Sequence, residues 1–256
     1  MDILETNHIN TTTQFTFLTG GTGSVENILV LDDRYQWVSS GLASDATFAV
    51  FSIAFSETVT IDRIALKGIN WKTYFPSYNN GSTKFVLENG TTITSVSNSE
   101  SSQYFKVTSI NCTSVSFTIS ETIVADQEKA LGYMYLGRAL STFGGRTPSA
   151  QKYRPIYRNK KVIHELSDGS YRSQVFDRKL GCDIQLDFVT TTVRDELKDI
   201  FDSYSDIVFA PFGTTTGWDG IIFPAIWAND FEFFEVTDNN AAGGHSGSIK
   251  FLETKP

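Results

Sequence analysis

Apolar and polar residues alternate along most of the chain, and this period of two predicts β-strands. Residues 47–55 and 115–119 each place a row of large apolar side chains on one face. Asn89-Gly90 lies between two further runs of this kind and is a strong signal for a two-residue hairpin. Short strands at this spacing from residue 24 to residue 137, without a convincing helix between them, predict a β-sandwich or jelly roll.

The second half of the chain combines further strands with one amphipathic helix. Residues 180–189 alternate as a long strand, and Thr192 is the predicted N-cap of a helix over residues 193–204. The helix is marked by one apolar stripe, formed by Val193, Leu197, Ile200, Phe201 and Tyr204. Its three aspartates are expected on a solvent-facing surface, at Asp195, Asp199 and Asp202.

These patterns predict an all-β protein of two domains. An N-terminal arm, residues 1–23, precedes a jelly-roll sandwich over residues 24–138. An inter-domain segment, residues 139–160, leads to a β-sandwich or barrel with one flanking α-helix over residues 161–256. A chain of 256 residues fits either one large domain or two ordinary ones, and the change of pattern favours two.

Charge is distributed unevenly along the chain. The net charge is −8, but residues 138–179 carry +7, whereas the segments before and after them carry −6 and −9. So much acidic surface argues against a nucleic-acid partner and favours a charge-complementary contact with acidic copies of the same or another protein. The candidate assembly residues are Arg146, Arg154, Arg158, Lys160 and Lys161.

The start of the chain and its cysteines indicate a cytoplasmic site of synthesis. Residues 1–6 are acidic and lack the features of a signal peptide, although a secreted protein whose leader has been removed is also compatible with them. No apolar run approaches the roughly 18 residues that a membrane-spanning helix needs. Cys112 and Cys182 are too few and too far apart for a disulfide framework, so both are predicted to be buried small hydrophobes.

No catalytic or cofactor motif is present, and the chain is predicted not to be an enzyme and to need no cofactor. The three histidines lack partners at metal-ligand spacing, and no P-loop or nucleophile elbow occurs. A hydrolase remains the third alternative, and it would depend on His164 or His245.

A sugar-binding site is the more serious hypothesis for a ligand. Residues 69–81 form a predicted loop rich in aromatic and amide side chains, and aromatic rings can stack on sugar faces. The candidate ligand residues are Asn70, Trp71, Tyr74 and Tyr78, with local packing or a protein interface as the alternative roles. Asp32 and Asp33 are weak candidates for a structural Ca²⁺ site in a sandwich loop.

The first half of the chain resembles the galactose-binding-like (discoidin, F5/8 type C) jelly roll. The resemblance rests on Trp37 with residues 38–41, on the pattern of residues 59–66 and on the alternating residues 115–119. Residues 131–138 resemble the last strand of that family. The resemblance spans residues 24–138 and implies a sandwich that can contact glycans.

The second half resembles the tail-tube and distal-tail folds of long-tailed phages, in which copies of a β-sandwich with one flanking helix form rings. The resemblance rests on residues 187–189 before the helix, on residues 209–212, and on residues 227–233 and 247–254. Galactose-binding-like modules grafted onto tail proteins are a known combination, so the two resemblances support each other.

Two functional hypotheses follow from these observations. The first is a virion structural protein, a minor or distal-tail (baseplate-like) component that is made in the bacterial host cytoplasm. It would form a ring with copies of itself and other tail proteins, with possible host glycan contact and no membrane insertion. The alternative is a monomeric carbohydrate-binding protein.

Overall fold

A computed structural model describes most of the chain as two compact units. The described residues are 2–5, 7–9, 14–17, 25–29, 36–79, 81–142, 153–165, 170–203, 207–211, 222–236 and 244–254. The N-terminal unit comprises the described residues of 2–139 together with Ala210, Pro211 and Ile222. The C-terminal unit comprises the described residues of 140–209 and 223–255. Strands dominate both units, which confirms the predicted all-β class.

The N-terminal unit is an antiparallel β-structure built around two long strands. Its strands are β1 (Asp2–Leu4), β2 (Gln14–Phe17), β3 (Trp37–Val38), β4 (Ala49–Lys67), β5 (Trp71–Tyr78), β6 (Thr83–Lys84), β7 (Val96–Ser97), β8 (Ser102–Thr122), β9 (Ala130–Leu131) and β10 (Tyr133–Gly137). A short 3-10 helix, Val25–Leu29, precedes β3. The main sheet has the order β10-β4-β8-β5-β6, with β2 also pairing with β4 and β7 with β5. A two-stranded sheet joins β3 and β9.

The apolar side chains that alternate along β4 and β8 form the core of this unit. Phe51 pairs with Phe117 and Ile53 with Val115 across the two strands, and none of these four side chains is exposed. Each large side chain buried in this way contributes about 1.5–3 kcal/mol relative to an exposed one. The two strands therefore provide the rigid support from which the loops of this unit extend.

The first described residues of the predicted N-terminal arm pack into the N-terminal unit. Asp2, Ile3 and Leu4 have no exposed surface. The Asp2 carboxylate accepts hydrogen bonds from Tyr104 Oη at 2.7 Å, Arg63 Nε at 3.1 Å and Lys106 Nζ at 3.1 Å. A buried carboxylate with three donors of this kind fixes the strand to the sheet, which a composition rich in Thr and Asn did not indicate.

The remaining elements lie in the C-terminal unit, except that Ala139 at the start of one strand and Ala210 at the end of another belong to the N-terminal unit. These are β11 (Ala139–Thr142), β12 (Tyr153–Glu165), β13 (Tyr171–Val189), α1 (Thr191–Asp202), β14 (Ile207–Ala210), β15 (Phe223–Trp227), β16 (Phe233–Val236) and β17 (Gly244–Glu253). Within the unit, strands follow the order β14-β15-β17-β13-β12, and β16 also pairs with β17. Cys182, Ile184 and Leu186 of β13 are buried as their alternation predicted.

Helix α1 begins two residues earlier than predicted. Its N-cap is Thr190, whose hydroxyl accepts from the backbone N–H of Val193 at 3.3 Å, and not Thr192. Three consecutive threonines offer equivalent caps, so the sequence alone cannot select among them. Leu197 is the buried residue of the stripe, and Phe201 contacts the edge of the Trp227 ring. The three aspartates are exposed, as predicted, at Asp195, Asp199 and Asp202.

The predicted inter-domain segment is largely regular structure where it is described. Residues 153–160 belong to β12 and pair residue by residue with β13. Strand β12 therefore begins within the segment predicted to connect the domains, and residues 143–152 of that segment lie outside the described part. Arg146 lies outside it as well.

The Asp2 cluster generates a prediction about stability. Burial alone would raise the pKa of Asp2, but the Tyr104 hydrogen bond and the charges of Lys106 and Arg63 hold it below the ordinary value of 3.8. Asp2 therefore stabilises the fold above pH 3.8, and this contribution is lost as the pH falls through the lowered pKa. We expect Asp2→Asn to lower the free energy of unfolding at pH 7 by about 3 kcal/mol, because Lys106 and Arg63 both lose a buried counter-charge, although Arg63 retains Glu88 and Asp62.

Urea unfolding at pH 7 measures this change. The matched control is Asp183→Asn, whose partially exposed carboxylate lies 3.8 Å from Lys250 Nζ and should contribute about 0–1 kcal/mol. Equal effects of the two substitutions would contradict the assigned role of Asp2.

Candidate binding surface of the N-terminal unit

Three loops of the N-terminal unit meet at one end of its sheet. They connect β3 to β4 (residues 39–48), β4 to β5 (residues 68–70) and β8 to β9 (residues 123–129). The antiparallel register brings them together, because the start of β4 and the start of β5 both lie beside the end of β8. We refer to residues 39–48 and 123–129 as the loop platform.

Glu128 connects the two loops of the platform. Its carboxylate accepts hydrogen bonds from the Ser39 hydroxyl, from Gly41 N at 2.8 Å and from Leu42 N at 3.2 Å. Gly41 has a φ of 75°, a left-handed conformation that favours glycine. The Ser39 hydrogen bond, followed by those of the backbone, holds the pKa of Glu128 below 4.5, so the carboxylate stays ionised at neutral pH.

Lys129 links the same two loops by hydrogen bonds made beneath the protein surface. Its side chain has no exposed surface, and its ammonium donates to the carbonyl oxygens of Leu42, of Ser44 at 3.0 Å and of Ala43 at 3.4 Å. Buried charges persist only when they are well hydrogen-bonded, and here backbone oxygens of one loop fulfil that need. Lys129 therefore holds residues 42–44 in a single conformation.

A second set of hydrogen bonds involves the aspartates of the platform. Asp45 accepts from both the backbone N–H and the hydroxyl of Thr122, each at 3.0 Å. The backbone N–H of Asp45 donates in turn to the Asp126 carboxylate at 3.0 Å. Side-chain hydrogen bonds thus link the two loops at two places, at Glu128 and at Asp45.

Exposed apolar side chains of the N-terminal unit collect on and beside this platform. In the described part of the N-terminal unit, every large hydrophobic side chain with substantial exposure lies on or beside the loop platform. These side chains are Val38, Phe48, Ile123 and Val124. Phe48 is 55 % exposed and Val124 is 60 % exposed. The exposed polar side chains around them include Ser44, Thr47, Asp126 and Gln127. An apolar patch with a polar rim on a rigid support is typical of a recognition surface.

The aromatic residues predicted to stack on a sugar are instead part of the core. Trp71 and Tyr74 have no exposed surface, and their rings contact each other with centroids 5.5 Å apart. Residues 71–78 form strand β5 and not a loop, and a register shift near Thr73 turns both rings inward although they are three positions apart. The prediction of ligand contact is therefore wrong for Trp71 and Tyr74.

Asn70 and Tyr78 also serve the fold. The Asn70 side chain donates to the carbonyl of Glu128 at 2.7 Å and accepts from Ala130 N at 2.8 Å, so it fastens the platform. Tyr78 is half-buried, and its ring contacts the buried Phe85. The Ca²⁺ candidates Asp32 and Asp33 lie outside the described residues.

The residues considered for catalysis do not form a common site. His164 is exposed on β12, whereas His245 is buried on β17, 3.4 Å from both Thr191 Oγ1 and Arg194 Nη1. Cys112 and Cys182 are buried and unbonded to each other, as predicted. Burial raises the pKa of these thiols to about 11 and about 12, which keeps them protonated and unreactive.

The described residues lack two further features. They contain no group of three or more His, Cys, Asp or Glu side chains arranged to hold a metal ion. Within the same residues, no helix is both long and apolar enough to cross a membrane. Of the assembly candidates, Arg154 is exposed on β12, and the backbones of Arg158, Lys160 and Lys161 belong to the same strand.

Comparison with known proteins finds similarity in structure only. No protein-family model and no curated protein matches the sequence. A chitosan-binding module of a chitosanase/glucanase from Paenibacillus sp. IK-5 is 13 % identical, with a TM-score of 0.39, over 52 % of this chain and 98 % of the module. A CBM32 module from Clostridium perfringens, in complex with GalNAc-β-1,3-galactose, is 10 % identical, with a TM-score of 0.37, over 49 % and 95 %.

A larger protein is also similar in structure to part of this chain. A Ruminococcus gnavus GH29 fucosidase in complex with fucose is 11 % identical, with a TM-score of 0.41. The match covers 52 % of this chain but only 27 % of the fucosidase. These structural neighbours include carbohydrate-binding modules, and the likeness concerns the fold alone.

The role of Lys129 can be tested by replacing it with methionine, which keeps an apolar stem and removes the ammonium. We expect Lys129→Met to lower the free energy of unfolding by about 1–3 kcal/mol, because buried carbonyls lose their donor. Amide hydrogen exchange over residues 39–48 should become faster. Lys72→Met is the control, since the Lys72 side chain is 53 % exposed and its ion pair with Glu121 should contribute about 0–1 kcal/mol. Unchanged exchange over residues 39–48 would contradict this role.

Proposed function

We propose that the loop platform is a glycan-binding surface and that the chain is a non-catalytic carbohydrate-binding protein. The observation that carries this proposal is the exposed Phe48 ring, held on loops that Glu128 and Lys129 fix in place. An exposed aromatic ring offers an apolar face to the C–H groups of a sugar. Because the loops are ordered before binding, the ligand does not have to supply the free energy of ordering them.

The surroundings of Phe48 suit a sugar better than a purely apolar ligand. Side-chain hydroxyl, amide and carboxylate groups lie exposed on the same two loops, at Ser44, Thr47, Asp126 and Gln127. Ligand sites combine apolar walls with a few polar groups that orient the ligand. Sugar hydroxyls can both donate to the carboxylate of Asp126 and accept from the amide of Gln127.

Titration calorimetry with a panel of neutral and amino-sugar oligosaccharides tests this function. We expect Phe48→Ala to weaken binding about tenfold, which corresponds to about 1.4 kcal/mol for the lost aromatic contact. The matched control is Phe234→Ala, because Phe234 is 68 % exposed but lies on β16 of the C-terminal unit. Binding that is absent throughout the panel, or equally affected by both substitutions, would refute the proposal.

A second candidate function is that of a structural subunit of a phage tail or tail-like particle, located in the virion. One observation favours it: β12 and β13 extend as a long hairpin with exposed apolar residues, Ile163 and Tyr171, near its end. Such a hairpin is suited to contacts between subunits of a ring, and the basic composition of this segment would favour acidic partners.

Multi-angle light scattering and labelling of particles test this second function. A ring subunit should have a mass in solution that exceeds the 28.5 kDa of one chain, or should assemble with tail partners. Antibody labelling in electron micrographs should then place it on tails. A protein of strictly 28.5 kDa that never enters particles would exclude this candidate and leave the glycan-binding one.

A further inference from the structure

The hairpin of β12 and β13 continues beyond the sheet of the C-terminal unit. Strand β17 pairs with β13 over residues 181–189, whereas residues 171–180 of β13 pair with β12. No third strand joins this distal part among the described residues. A two-stranded ribbon is only marginally stable in water by itself, so a contact that covers one of its faces would stabilise it.

The distal end of the ribbon presents an apolar pair on one face. Tyr171 lies opposite Glu165, and Ile163 lies opposite Ser173, so Ile163 and Tyr171 are diagonal neighbours on the same face. Ile163 is 56 % exposed and Tyr171 is 68 % exposed. We call these two side chains the ribbon tip.

The outer edge of β12 is protected against pairing with another strand. Pro155, which pairs with Cys182 where β12 borders the sheet, has no backbone N–H to donate, and within the ribbon the register shifts between Lys160 and Lys161. Proline, irregular register and a row of basic residues are the features by which proteins prevent edge-to-edge association. A partner would therefore contact the face of the ribbon tip and not extend the sheet.

The positive charge of the segment that contains the ribbon favours an acidic partner. Residues 138–179, which include the ribbon except Leu180 and have Glu165 on the face of the ribbon tip, carry +7 in total, whereas the rest of the chain carries −15. A second copy of this chain thus offers acidic surface to a basic ribbon, and opposite charges on two copies favour and orient their association. We propose that the ribbon tip docks on an acidic surface of a second copy, with Ile163 and Tyr171 as its apolar anchors. This inference rests on the second proposed function, that of an assembling subunit.

Sedimentation velocity over a concentration series tests the inference on the full chain. We expect the double substitution Ile163→Ser with Tyr171→Ser to raise the dissociation constant of self-association by at least about tenfold. Phe234→Ser is the matched control, because it removes an equally exposed apolar side chain from the same unit, and it should change the constant less than about twofold. Raising the salt concentration from about 50 mM to about 500 mM should weaken association of the unsubstituted chain.

The possible results distinguish failure of the ribbon tip as a docking surface from failure of the structural-subunit function. If the double variant associates as tightly as the unsubstituted chain, the ribbon tip is not the docking surface, although assembly itself stands. If the unsubstituted chain stays a monomer at every concentration, the inference is overturned. Tail labelling then decides separately whether the chain is a structural subunit. Circular dichroism and thermal unfolding of each variant establish that a weaker association does not result from unfolding.

Discussion

The buried ammonium of Lys129 is the interaction on which the proposed binding surface depends. It donates hydrogen bonds to the carbonyl oxygens of residues 42–44, while the adjacent Glu128 accepts hydrogen bonds from backbone N–H groups of the same loop. Two neighbouring residues of opposite charge thus satisfy both kinds of backbone group in a connection that has no regular hydrogen bonding of its own. Without them, Phe48 would lie on a loop free to adopt many conformations.

Each unit of the protein has its own exposed apolar feature, and the two features suit different partners. The platform of the N-terminal unit combines one aromatic ring with hydroxyl and amide groups, which fits a small polar ligand. The ribbon of the C-terminal unit combines two apolar side chains with a high positive charge, which fits a large acidic partner. A protein that both assembles and contacts a glycan would need both surfaces, so the two proposed functions are compatible.

The sequence predicted the class of fold but not the residues of the candidate site. Alternation in residues 115–119 fixes which side chains enter the core, since a strand has only two faces. Trp71 and Tyr74 suggested an exposed aromatic site, but the register shift that buries both rings cannot be read from the residue types. Phe48 precedes β4 and has the same parity as Val50 and Ser52, which are less buried than Ala49, Phe51 and Ile53, so it lies on the outward side of this alternation. Lys129 gives no signal either, since its partners are backbone atoms some 85 residues away in sequence.

The central claim is that the loop platform is where ligand binds, and amide chemical-shift mapping tests it most directly. Two-dimensional NMR spectra of the isotope-labelled chain would be recorded during titration with an oligosaccharide that binds in calorimetry. The account predicts that the perturbed amides cluster in residues 39–48 and 123–129. Perturbations centred instead on β12 and β13, or on the end of the N-terminal sheet that carries Asn89-Gly90, would contradict it.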